Sequence, residues 1–235
     1  MSEDRAPGGL QRLKEAGSLL SRFWRSFGHM GPRGPESGIP VMVIPGFIAS
    51  DRTTMELRRA LAEAGFRVYP WRRGWNLGAR HDTLDRLRHA LDECGREEPV
   101  VLVGWSLGGL YARELARTEP ERVRAVVTLG SPVVGDRRRY TNVWRLYEWI
   151  AGHPVDRPPI PDSEEKPPVP TLAIWSRRDG IVAAPSARGH ERSCDKAVEV
   201  RSSHMGFAVS RRRTREVARE IIKFLKEIEA SESRH

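Results

Sequence analysis

The chain has 235 residues, 39% hydrophobic and 30% charged, enough for one domain whose core folds without disulfide or metal staples. No stretch of about 18 residues or more is free of charge, which excludes a transmembrane helix, and apolar runs rich in β-branched and aromatic residues argue against disorder. The formal charge of +9 comes from 40 basic against 31 acidic residues. Most of the basic residues are arginines scattered beside acids, so they read as solvated surface, the tight runs Arg137–Arg139 and Arg211–Arg213 included, and no nucleic-acid partner is expected.

Residues 1–38 read as an N-terminal extension. Leu10, Leu13, Leu20, Phe23, Trp24 and Phe27 fall on one helical arc over 10–27, and a Gly/Pro linker follows at 28–38. Charges interrupt the arc, so it is no secretory signal. It packs on the domain or, as the alternative, makes peripheral contact with a membrane surface.

From residue 39 strands and helices alternate. IPVMVI (39–44) is an apolar strand stopped by Pro45-Gly46. Asp51 is placed to cap a helix over 52–64 that Gly65 ends. FRVYPW (66–71) is a strand, 72–80 a loop, and a helix with Leu84, Leu87 and Leu91 on one face comes next. Strands follow at 99–105 and 123–132 with a helix at 106–120 between them, then strands at 169–176 and 196–202 and a final helix from about Arg212 to Ile228. Strands apolar on both faces and separated by helices predict a mostly parallel, doubly wound α/β sheet with helices on both faces. Functional residues are then expected just beyond the carboxyl ends of the strands.

Three segments meet that expectation. Gly104-Trp105-Ser106-Leu107-Gly108 lies between a strand and a helix, the context of a G-x-S-x-G nucleophile elbow, where the serine stands at a helix N-terminus. Asp179, after the 169–176 strand, can orient a histidine, and His204, just past the last strand, can accept the serine proton. A fourth segment, Pro45-Gly46-Phe47, can supply one backbone N–H to an oxyanion and Leu107 the other.

These residues resemble the α/β-hydrolase superfamily, and more narrowly its bacterial esterase/lipase-like serine hydrolases. VMVIPGF, VVLVGWSLGGLYARELA, VVTLGSP, SRRDGIV and SSHMGF carry the resemblance over about residues 39–229. It implies an α/β-hydrolase fold, Ser106 as nucleophile, His204 as base, Asp179 as acid, and Phe47 with Leu107 as oxyanion donors. It also implies hydrolysis of a small-molecule ester with an apolar acyl group, without metal or organic cofactor. An acyltransferase or thioesterase using the same triad is the alternative, and a non-catalytic basic binding protein on this scaffold a more distant one. The sequence also has an ASDRTT…WNLGAR pattern like that of uncharacterised bacterial hydrolases.

Residues 133–169 read as a small cap insertion. Its helix at 140–152 turns Val143, Leu146, Tyr147 and Ile150 to one face, with Trp144, Tyr147 and Trp149 placed to roof an acyl site; Trp71, Trp75 and Asn76 are candidates for the same mouth. Asp136, after the 123–132 strand, competes with Asp179 for the acid role. Cys94 and Cys194 offer no disulfide framework or zinc spacing and fit a reducing, cytoplasmic setting.

Overall fold

Six strands form one sheet: β1 (Pro40–Ile44), β2 (Arg67–Pro70), β3 (Val100–Trp105), β4 (Val123–Leu129), β5 (Thr171–Trp175) and β6 (Lys196–Glu199). Their spatial order is β2-β1-β3-β4-β5-β6, and every neighbouring pair is parallel. The computed structural model describes residues 34–94 and 98–233. Of the two units into which the chain divides, Met1–Gly31 and Pro32–His235, all described residues lie in the second. The helix read at 10–27 lies outside them.

The helices in chain order are α1 (Met55–Glu63), α2 (Thr83–Cys94), α3 (Leu107–Thr118), α4 (Arg137–Tyr140), α5 (Trp144–Ala151), α6 (Ala184–Arg188), α7 (Gly206–Val209) and α8 (Arg211–Glu232). Among the described residues no helix is long and apolar enough to cross a membrane.

Side chains alternate across a strand, so a run that is apolar throughout supplies two cores. Val41, Val43, Val101, Val103, Val127 and Ile174 point to one face, where Leu57 and Leu61 of α1 and Val217, Ile221 and Phe224 of α8 cover them. Met42, Ile44, Leu102 and Val126 point to the other, under Leu87 and Leu91 of α2 and Tyr111 and Leu115 of α3. All residues of β1, β3 and β5 are buried. On α8 the apolar positions recur at three- and four-residue spacing. Ile221 among them is fully buried, so truncating it to alanine costs about 2–5 kcal/mol.

The chain leaves β1 towards β2 on one side and returns to β3 on the other, so the order reverses between β1 and β3. The crevice outside the carboxyl ends of two such strands is where doubly wound sheets place ligands. The loop holding Phe47 and the turn holding Ser106 flank that crevice.

Four expectations change. Asp51 does not cap α1. That helix starts at Met55 after Thr54, and the Asp51 carboxylate instead accepts from the Trp71 and Arg72 N–H groups at 3.0 and 3.1 Å, tying the loop after β2 to the loop after β1. Burial raises its pKa. In the insertion, α5 turns Val143, Trp144 and Tyr147 to the body, while Leu146 is 44% and Trp149 80% exposed, so Trp149 roofs nothing. At 100° per residue both lie well off the Tyr147 side, and α5 is seated by that one buried residue.

Arg137 is not solvated surface. It is 16% exposed and paired with Asp162. The rest of the tight runs behave as surface, Arg138 pairing with Glu148 and Arg213 with Glu216. Finally, Trp71, Trp75 and Asn76 line a separate cleft near α2 rather than the mouth beside Ser106.

The Pro-rich stretch after α5 has no regular element, as its composition requires. A buried arginine on α3 holds it instead. Arg113 is 1% exposed and donates to the carbonyls of Ser193, Glu164 and Glu165 at 2.6, 2.8 and 2.7 Å. Burial, with Arg117 nearby, lowers its pKa to about 10, so it stays charged at neutral pH. Glu114 on the next position accepts from Ser163 N at 3.1 Å.

Candidate active site

β3 ends at Trp105 and α3 begins at Leu107, so Ser106 alone makes the turn. Its φ of 55° and ψ of −122° are strained for a residue with a side chain, at a cost on the order of 1–3 kcal/mol. Two backbone bonds hold it there: Ser106 N donates to Leu129 O of β4 at 2.9 Å, and Gly109 N donates to Ser106 O at 3.0 Å. The flanking glycines are required by close approach. A Cβ on Gly104 would lie 2.3 Å from Gly108 O, and one on Gly108 would lie 2.3 Å from Ile44 O.

Asp179 and His204 follow β5 and β6, neighbours at one side of the sheet. His204 Nδ1 lies 2.8 Å from Asp179 Oδ2. The other carboxylate oxygen accepts from the Ile181 and Val182 N–H groups at 2.8 and 2.9 Å, and the Asp179 side chain is fully buried. With its proton on Nδ1 facing the carboxylate, His204 keeps a lone pair on Nε2. The ring packs 5.5 Å from that of Trp105, whose Nε1 donates to His204 O at 3.1 Å, so the residue before Ser106 locates the histidine. Ser106 Oγ makes no hydrogen bond among the described residues. In unliganded sites such contacts are often long and tighten only with substrate.

Asp136 is elsewhere occupied. It caps α4, accepting from Arg138 N at 2.8 Å.

Phe47 and Leu107 line the pocket together with Ser106. Leu107 N–H is the first of α3 and has no carbonyl within the helix to bond. The Phe47 loop approaches so closely that a Cβ on Gly46 would lie 3.0 Å from Ser106 Cβ. Its position depends on Asn76, which the sequence nominated for the mouth and which here clamps this loop instead. Asn76 Nδ2 donates to Pro45 O at 2.8 Å, Ile48 N donates to Asn76 O at 2.7 Å, and Asn76 N donates to Ala49 O at 2.8 Å. The ASDRTT…WNLGAR pattern is the one available signal, since these two stretches are bridged at Ala49 and Asn76.

Three residues further on, Ala79 N donates to Tyr147 Oη at 3.3 Å, and the Tyr147 ring sits 5.0 Å from that of Phe47. The segment 76–79 therefore joins the Phe47 loop to α5. Burial pushes the Tyr147 hydroxyl up to about 12, so it remains neutral.

The pocket is apolar, with walls from Leu110, Val143, Trp144, Tyr147, Ile160 and Val182, and a cavity of about 70 Å³. Its charged members are Arg137 and Asp162. Among the described residues no group of three or more His, Cys, Asp or Glu could hold a metal ion. Cys94 and Cys194 are buried free thiols, the first pushed up to about 12 by burial, so neither offers a reactive thiolate.

The arrangement can support nucleophilic attack from Ser106, proton transfer through His204, and stabilisation of an oxyanion between two backbone N–H groups. The chain has the α/β-hydrolase fold: a family model of that description matches residues 74–153. A lipase of Mycobacterium tuberculosis, LipV, is 32% identical over 123 residues, which are 49% of this chain and 46% of that protein. A pimeloyl-[acyl-carrier protein] methyl ester esterase of Citrobacter koseri is 48% identical over 44 residues, 19% of this chain and 16% of its own. The chain thus spans less than half the length of these relatives. The crystal structure of naproxen esterase from Bacillus subtilis superposes with a TM-score of 0.56 at 17% identity, over 94% of this chain and 99% of that one.

Proposed function

We propose that this α/β-hydrolase-fold chain is a serine hydrolase that cleaves carboxylic esters through a Ser106–His204–Asp179 triad. The observation that carries the reading is Ser106, strained at the N-terminus of α3 and opening into an apolar pocket, directly after Trp105, which packs against a histidine bonded to a buried carboxylate. The lipase and esterase similarities support the same class of reaction.

In this mechanism Ser106 Oγ attacks the ester carbon while its proton passes to His204 Nε2. Asp179, held by two backbone N–H groups, keeps the imidazole oriented and stabilises its cationic form. The carbonyl oxygen becomes an oxyanion between the Phe47 and Leu107 N–H groups, each such donor contributing roughly 2.7–4 kcal/mol to the transition state. Collapse expels the alcohol, which takes the proton from His204 and leaves an acyl-Ser106 ester. Water, deprotonated by His204, then releases the acid and regenerates the serine.

A fluorophosphonate probe tests this, because only an activated serine reacts with it readily. The expected result is one adduct on Ser106 by peptide mass, absent from Ser106→Ala, with kcat on p-nitrophenyl butyrate reduced by about 10⁶ in that variant. An adduct at another residue, or none, refutes the assignment.

A further inference from the structure

Arg137 and Asp162 lie in the wall of the pocket that Ser106 opens into, and their surroundings are otherwise apolar. They form a two-point pair, Arg137 Nη1 to Asp162 Oδ2 at 2.5 Å and Nη2 to Oδ1 at 2.6 Å, each side chain 16% exposed. Arg137 Nε is buried and has no hydrogen-bond partner among the described residues. Asp162 is fixed from behind. The next residues, Ser163, Glu164 and Glu165, are bonded to Glu114 and Arg113 of α3, the helix that Ser106 begins. The pair is thus built into the same frame as the candidate nucleophile.

A charged pair in an apolar wall is a poor way to gain stability, since apolar residues of similar volume are often as good or better there. What the pair offers is recognition. Its charges cancel, so a substrate anion finds no net attraction and would have to displace Asp162 from a two-point bond. Each carboxylate oxygen still has a lone pair outside the two-point bond, while Arg137 Nε lies on the far side of the guanidinium from Asp162 and is buried. A hydroxyl complements the pair by donating to Asp162, whose charge Arg137 balances. An alkyl chain leaves that acceptor unmet.

We infer that Arg137 and Asp162 form a subsite for a neutral hydroxyl on the part of the ester that fills the pocket, so that the substrate class is hydroxyl-bearing esters of short apolar chains. This rests on the assignment of Ser106 as nucleophile and adds the identity of the group recognised beyond it.

The test compares matched esters with the full chain. One series is methyl hexanoate, methyl 6-hydroxyhexanoate and monomethyl adipate, with homologues of four to eight carbons; the other is hexyl against 6-hydroxyhexyl acetate with its homologues. At the best length in one series, the hydroxyl ester is expected to exceed its alkyl counterpart by about tenfold or more in kcat/KM, the scale of a hydrogen bond to a charged group. In the double variant Arg137→Met/Asp162→Leu, which replaces the pair by apolar side chains, the preference should vanish or invert. A pair that merely tethers the insertion would change the rate on both esters alike and leave their ratio in place. Equal rates in both series, a preference for the adipate monoester, or a hydroxyl preference that survives the double variant would overturn the inference. The wild-type comparison stands even if the variant does not fold. If Ser106 is labelled and plain esters are cleaved without a hydroxyl preference, only the subsite fails; if Ser106 is not labelled, the proposed function fails first.

Discussion

Asn76 Nδ2 donates to the carbonyl of Pro45 at 2.8 Å, across 31 positions of sequence, with the asparagine 2% exposed. Pro45 precedes Gly46 and Phe47, so this bond fixes the loop that brings Phe47 to the pocket wall. Ile48, held at φ 52°, shows that the loop is not in a relaxed conformation and needs such a clamp.

Replacing Asn76 by alanine should therefore act on the chemical step. Removing the amide leaves a buried carbonyl unpaired, which costs about 1–3 kcal/mol of stability. It also frees the Phe47 N–H from its position, so kcat should fall by roughly 10–10³ with a smaller change in KM, approaching the loss of one oxyanion donor. Steady-state kinetics on p-nitrophenyl butyrate and a thermal melt separate the two effects. A variant with lowered melting temperature but kcat within twofold of wild type would show that the clamp is only structural.

Asp179 and Asp136 make a second comparison. The Asp179 carboxylate meets His204 and two backbone N–H groups, whereas Asp136 meets Arg138 N at the start of a four-residue helix. Asp179→Asn should keep the fold and reduce kcat by about 10⁴, because the amide favours the wrong imidazole tautomer. Asp136→Asn should leave kcat near wild type, since asparagine caps a helix about as well as aspartate. The reverse outcome would move the acid role to the end of β4.

The pocket should also limit chain length. Its cavity of about 70 Å³ is well below the roughly 300–1,000 Å³ of sites for drug-sized ligands. Methylenes that cannot enter forfeit the ~0.8 kcal/mol each gains on burial. Across p-nitrophenyl esters from acetate to palmitate, kcat/KM should peak at short to medium chains. A higher value on palmitate than on butyrate would mean that Tyr147 and Trp144 move aside.

Asp51 gives a pH prediction. Burial is the largest influence on it and raises its pKa above the ordinary 3.8, against the lowering effects of Arg58 and of the Trp71 and Arg72 N–H groups. Between 3.8 and the raised value the folded chain binds more protons than the unfolded one, so this group's contribution to stability falls as pH rises through that window. Asp51→Asn has no such charge to bury. Its melting temperature relative to wild type should therefore shift upward between about pH 4 and pH 7. A difference that stays constant, or shifts the other way, would mean that Asp51 is stabilised as the anion.

Much of this molecule is readable along the chain. The apolar runs of β1, β3, β4 and β5 and the glycine spacing around Ser106 are local patterns with local causes. A strand buried on both faces must be apolar throughout, and a one-residue elbow needs glycines where backbones meet at 2.3 Å. Ser106, Asp179 and His204 could be nominated because each follows a strand, and in a parallel sheet all carboxyl ends lie on one edge.

Other features depend on partners far away in sequence, and only the tertiary structure decides them. Asp51 sits where a cap residue would, yet Trp71 and Arg72 reach its carboxylate first. The periodicity of α5 shows an amphipathic helix but not which side is seated; that follows from Tyr147 meeting Phe47 and Ala79. Arg137 looks like its neighbours Arg138 and Arg139 until Asp162, 25 residues on, is brought against it. Sequence by itself determined the parallel sheet and the residues at its carboxyl edge, because periodicity and turn chemistry act over a few residues. Burial and pairing with residues distant in sequence determined what Asn76, Arg113 and Arg137 do, because a polar side chain takes its role from the partner it finds when water is removed.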